Sequence, residues 1–144
     1  MKYYWLRYTD DESVVGHAKG LVITLNRKRK DDKALLAHEK THVRQWWLIT
    51  APLFIVFMAA IPYMNDLAFI LSCPIVFMGH NLLYTVSKKY RLHCELQAYK
   101  HQLAMTNNIG IYNAAKAIAD DYDLDVDFDT ALKLLRKRTK QVIP

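Results

Sequence analysis

Asp31-Asp32-Lys33-Ala34-Leu35-Leu36-Ala37-His38-Glu39-Lys40-Thr41-His42 is the stretch on which the reading of this 144-residue chain turns. Its two aspartates supply the cap and first-turn acids of a helix that continues through Ala34, Leu35, Ala37, His38 and His42. The four-residue spacing sets both imidazoles on one helix face. Upstream, the aromatic-rich segment Lys2 to Tyr8 reads as a strand, and Gly16 and Gly20 fall in an acidic connection. Leu21-Val22-Ile23-Thr24-Leu25 reads as a second strand before the basic turn Asn26-Arg27-Lys28-Arg29-Lys30.

Downstream, residues 46–64 carry no charge, and after Asn65-Asp66 neither do residues 67–87. Two runs of that length joined by a two-residue polar turn read as a hairpin of membrane helices. Trp46, Trp47, Tyr63 and Tyr84 stand near the run ends, where interfacial aromatics collect. Arg44, Lys88, Lys89 and Arg91 flank the open end, so both termini are expected on the cytoplasmic side. Pro52, Pro62, Pro74 and the polar pair His80-Asn81 leave the alternative of buried helices in a soluble cytoplasmic protein. Further helices are expected from Tyr90 to Thr106, ended by Asn107-Asn108 and Gly110, from Ile111 to about Asp121, and after a cap at Asp129 or Thr130. The fold class is therefore α+β and mostly helical, with a short N-terminal sheet. The chain reads as one domain, 1–144, with the apolar hairpin 46–87 inserted between two more polar helices.

Composition sets the outer limits. About half the residues are apolar, enough to close one core and too few residues to divide in two. The net charge of +6 suits nucleic acid, anionic lipid or acidic partners alike. The basic clusters Arg27 to Lys30 and Arg136 to Lys140 lack interleaved aromatics, so no specific nucleic-acid partner is expected. Cys73 and Cys94 do not form a disulfide framework and read as reduced thiols. Met1 to Tyr8 lacks the apolar core of a secretory signal.

His38-Glu39-Lys40-Thr41-His42 is an HExxH, the spacing with which one helix face offers two imidazoles to a single zinc ion. Glu39 points away from the ligand direction and is placed to take a proton from a metal-bound water. A catalytic zinc needs a third protein ligand. The metzincin continuation is excluded, because Gln45 stands where its glycine would be and Leu48 where its histidine would be. No GTxxD stretch offers an aspartate ligand.

Arg91-Leu92-His93-Cys94-Glu95-Leu96-Gln97-Ala98-Tyr99 lies on a later helix, and Glu95 followed by Ala98 matches the E-x-x-A signature that follows HExxH in gluzincins. Motif order and the intervening apolar hairpin resemble the membrane-embedded gluzincins, among them the CAAX-prenyl proteases and heat-shock membrane proteases. The HExxHVRQW phrase with a later ELQAY also resembles small, uncharacterised HExxH proteins of bacteria and phages. The resemblance covers about Leu21 to Gln102 and implies a minimal zincin-like fold with Glu95 as the third ligand on its own helix. His93 and His101 are rivals, but they lie two and six positions from Glu95 and do not share its face. Where these families usually have aspartate, Tyr99 stands, so a second hydrogen-bonding group must orient a liganding histidine.

In zincins a peptide substrate pairs with an edge strand beside the motif helix, and Val22-Ile23-Thr24-Leu25-Asn26 is the expected edge here. Tyr99, His101, Tyr112 and Arg91 are the candidates to stabilise the transition state. The function expected is a zinc metallopeptidase, an endopeptidase rather than an exopeptidase. It would hold one zinc per chain, act on peptide or protein substrates through a Glu39-activated, zinc-bound water, and associate with membrane lipid. The alternatives are a non-catalytic zinc-binding membrane or interaction protein, and a phage-type membrane hairpin.

Overall fold

The computed structural model describes residues 3–139, with side chains to residue 137; Lys2 of the expected first strand and Lys140 of the basic tail lie outside the described residues. The fold is α+β and mostly helical, as expected. Three short strands, β1 (Trp5–Thr9), β2 (Gly16–Lys19) and β3 (Val22–Asn26), precede five helices. The helices are α1 (Lys33–Ala60), α2 (Asp66–Val86), α3 (Lys88–Met105), α4 (Ile111–Asp120) and α5 (Phe128–Thr139).

The sheet has the order β1-β3-β2, with β3 parallel to β1 and antiparallel to β2. Two sequence expectations are corrected here. The glycine-containing connection harbours a strand, β2, joined to β3 through Gly20, whose φ of 58° is the left-handed backbone a tight hairpin turn needs. Val22–Asn26 is also not an edge: β3 is paired on both sides, and Ile23 and Leu25 on one face and Thr24 and Asn26 on the other are all buried. Such a strand cannot accept a further backbone. The exposed edge next to α1 belongs to β2.

Ile23 and Leu25 pack with Leu35 and Val43, which fixes the sheet against the first half of α1. Asp32 caps that helix by accepting the Leu35 amide at 2.8 Å, so the helix begins after the second of the two aspartates. The HExxH helix and the first apolar run are one helix of 28 residues that continues through Pro52. Ile61–Tyr63 then forms a 3-10 turn containing Pro62, and Asn65 caps α2 through the Ala68 amide. Phe57 meets Phe69, Phe54 meets Phe77, and a Cβ on Gly79 would lie 3.1 Å from Leu53 Cδ1, so α1 and α2 pack closely as a hairpin.

The other core joins α3, α4 and α5 around Leu96, Leu103, Ala115, Ile118, Ala131 and Leu135. Asn107, Asn108 and Gly110 take left-handed backbone between α3 and α4, as the sequence suggests. The last helix is capped two or three residues earlier than expected, by Asp127, whose carboxylate accepts the Thr130 amide at 2.7 Å. Asp127 stands three residues before the amide it caps, and Asp129 falls inside the first turn.

Both hairpin helices are long and apolar enough to cross a membrane. Only 17% of the most apolar eighteen residues of the first and 11% of the second are buried, unlike a soluble core helix. Ile55, Val56, Leu71 and Ile75 are each more than half exposed.

Candidate metal centre

The centre forms where α1 crosses α3. His38 and His42 lie one turn apart on α1, with their Nε2 atoms 3.2 Å from each other. Glu95 of α3 reaches between them, its Oε2 3.5 Å from His38 Nε2 and its Oε1 3.4 Å from His42 Nε2. One donor atom from each residue falls within 4.8 Å of the others. Sequence reading and geometry therefore select the same three residues, and His93 and His101 do not belong to the cluster.

The polarity of the cluster is what a cation would satisfy. Glu95 has no exposed surface, and a buried carboxylate is costly unless hydrogen bonds or a positive charge offset it. Tyr84 donates to Oε1 at 2.5 Å, while Oε2 has no hydrogen-bond partner. Burial would raise this carboxyl, but the neighbouring His38 and His42 and the hydrogen bond from Tyr84 outweigh it and hold Glu95 below the usual range. Burial also pushes His42 below its ordinary value, against the pull of Glu95, which favours the neutral imidazole a metal requires. Two imidazoles and one carboxylate, with an orphaned carboxylate oxygen, fit a zinc site in ligand type and number.

Gln45 sets the direction of His42. Its Nε2 donates to the Cys94 carbonyl at 3.0 Å and to Gln97 Oε1 at 3.2 Å, which turns its Oε1 toward His42 Nδ1, 3.0 Å away. His42 Nδ1–H donates to that oxygen, leaving the Nε2 lone pair to face the cluster. The group expected to replace the missing aspartate is thus Gln45, which from sequence appears only as the wrong residue for a metzincin. Thr41 supplies a second clamp between the helices: its hydroxyl donates to the Ala37 carbonyl and accepts from His101 Nδ1–H at 2.9 Å.

Glu39 borders a cavity of about 260 Å³ together with His38, His42 and Glu95. Burial raises its carboxyl to about 7, lowered in part by His38 and raised again by Glu95. The adjacent wall is β2, and it comes close: a Cβ on Gly16 would lie 3.3 Å from Glu39 Oε1 and 3.0 Å from Leu25 Cδ2. Glycine here lets the strand edge approach the carboxylate. His17 and Ala18 extend this wall, and His80, Asn81 and Tyr84 of α2, with Tyr122, close the other side.

None of the four expected transition-state stabilisers borders this cavity. Tyr99 lies edge-on to the His38 ring, 4.6 Å between centroids, and its hydroxyl meets that of Tyr122 at 3.3 Å. His101 is engaged with Thr41 on the far side of α1. Arg91 donates to the carbonyls of Tyr84, Thr85 and Tyr122, tying the end of α2 to the loop before α5. Tyr112 stacks on Phe128 and accepts from Arg136, in the α4–α5 region. Of the polar groups that do face the cavity, His17, His80 and Tyr84 sit in a connection and an apolar run, where pattern alone assigns them solvent, core or interface.

Comparison with protein families, with curated proteins and with solved structures finds no match to this chain. The functional reading therefore rests on the site's own chemistry. Replacing Gln45 by leucine removes the acceptor for His42 Nδ1–H while keeping bulk. Zinc affinity, measured by competition with a chromophoric chelator, is expected to fall about 10–100-fold. Unchanged affinity would show that Gln45 does not orient the ligand.

Proposed function

We propose that this chain is a membrane-associated zinc metallopeptidase of gluzincin type, with His38, His42 and Glu95 as metal ligands and Glu39 as general base. The observation that carries this reading is the convergence of those three side chains beside a buried carboxylate on one open cavity. Zinc bound there supplies a Lewis acid that polarises water and a peptide carbonyl. Glu39 takes a proton from the attacking water and hands it to the leaving amine; a carboxyl raised to about 7 by burial is suited to both transfers near neutral pH. Tyr84 and Gln45 hold Glu95 and His42 in position.

The substrate strand belongs at β2 rather than β3. Gly16–Lys19 pairs with β3 on one side only, and its first three residues border the cavity. A peptide added to the free side would be held by backbone hydrogen bonds and carried past Glu39, with little dependence on its side chains. His17 and His80, which border the same cavity, are the side chains nearest to hand for stabilising an oxyanion.

Glu39→Gln removes the base and preserves shape and ligands. It is expected to retain about one zinc per chain and to lose at least about a hundredfold in hydrolysis of an unstructured protein substrate. A variant cleaving at the wild-type rate would overturn the assignment of the base; wild-type protein that holds zinc and cleaves nothing would favour the non-catalytic zinc-binding reading.

The exposed apolar hairpin supports insertion in a bilayer. Its 21-residue second helix extends roughly 31 Å at about 1.5 Å per residue, close to the hydrocarbon thickness. The basic residues at the open end support a cytoplasmic position for that end and for the metal centre beside it. On flotation with phospholipid vesicles, the full chain is expected to rise with the lipid and to remain there after alkaline carbonate; recovery in the soluble fraction would contradict insertion.

A further inference from the structure

A second cavity, of about 440 Å³, lies along the α1–α3 seam and is lined by Arg44 and Gln45 from α1 and by His93, Gln97, Lys100 and His101 from α3. No carboxylate lines it. Among the described residues Arg44 and Lys100 form no ion pair, whereas Arg27, Lys28, Arg29 and Lys88 each meet an Asp or Glu side chain. Burial, and then the charges of Lys100 and Arg44, hold His101 below its ordinary value, which places these cations within electrostatic reach of one ring. Bringing like charges together without a counter-ion costs free energy that a bound anion would offset.

We propose that this groove binds a phosphate group, with Arg44 and Lys100 supplying the charge and the Gln97 amide a further donor, while Gln45, His93 and His101 complete the polar walls. A guanidinium fork and an ammonium on opposite walls suit a tetrahedral oxyanion better than a planar carboxylate, which one arginine can satisfy alone. Thr41 accepts from His101 Nδ1–H, so the ring's Nε2 presents a lone pair, which can accept from the hydroxyl of a singly protonated phosphate.

The position of the groove suggests two sources for that phosphate. Arg44 stands two residues before the uncharged run, and Leu48, 63% exposed, lines the groove and belongs to the apolar hairpin. A lipid phosphomonoester could enter with its acyl chains along that surface, and free phosphate could enter from water. The site is independent of the peptidase reading, although its Gln45 wall is also the group that holds His42.

The full chain in detergent is titrated calorimetrically with inorganic phosphate, and separately placed in phosphatidylcholine nanodiscs with and without phosphatidic acid. The variant R44Q/K100Q is expected to weaken binding about tenfold or more, from loss of two charge-assisted contacts. K116Q/K133Q, which removes the same charge from exposed positions on α4 and α5, is expected to leave it within about twofold. Binding of phosphatidic acid alone identifies a lipid headgroup site, and binding of inorganic phosphate alone a soluble-anion site. If neither probe binds, or if both double variants weaken binding equally, the groove is not a phosphate site. Should R44Q/K100Q lose helical circular dichroism, R44Q alone, at an exposed side chain, decides between the same outcomes.

Discussion

The Glu95 carboxylate sits at the centre of the seam between α1 and α3, without solvent and with one oxygen unpartnered. A charge in that position is tolerable only if its surroundings are built to receive it. The surroundings are so built: two histidines face it, Tyr84 donates to it, and the carbonyl next to it in sequence receives the Gln45 amide that locks α3 to α1. The packing of the two helices and the chemistry of the centre are thus one constraint. Removing the carboxylate would leave His38 and His42 facing each other with no anion, and moving it would break the contacts that set the helix crossing.

The apolar hairpin has a second task beyond its outward surface. It returns the chain so that α2 passes over the centre, where His80, Asn81 and Tyr84 interrupt an otherwise apolar helix and meet the site. His80 Nδ1 lies 2.9 Å from the Tyr90 hydroxyl, and Arg91 holds the end of α2 by the carbonyls of Tyr84 and Thr85, so this wall is fastened to α3 as well. The sheet forms the opposite wall because Ile23 and Leu25 anchor it to α1, leaving β2 nearest to Glu39.

What was legible in the sequence was local. The Asp32 cap, the four-residue histidine spacing and the uncharged lengths of the hairpin each follow from a short window. Glu95 is legible only through its resemblance to a signature of other proteins, and the fold brings it to the histidines across a separation that spacing alone does not bridge. The rest depended on tertiary contacts. Gly16-His17-Ala18-Lys19 has weak strand propensity and becomes β2 only because β3 supplies its hydrogen bonds. Strand order, and with it the correction from β3 to β2 as the open edge, is decided by the parallel pairing of β1 with β3. Gln45 gains its role from Cys94, a residue 49 positions away. Tyr84 reads from sequence as an interfacial aromatic because its partner, Glu95, is on another helix.

The most direct measurement is anomalous scattering at the zinc edge from crystals of the full chain grown with zinc. One zinc per chain, bonded by the Nε2 atoms of His38 and His42 and by the Glu95 carboxylate with a further position open to solvent, is the result this account requires. Zinc bound elsewhere, or a centre in which Glu95 keeps away from the metal, would contradict it.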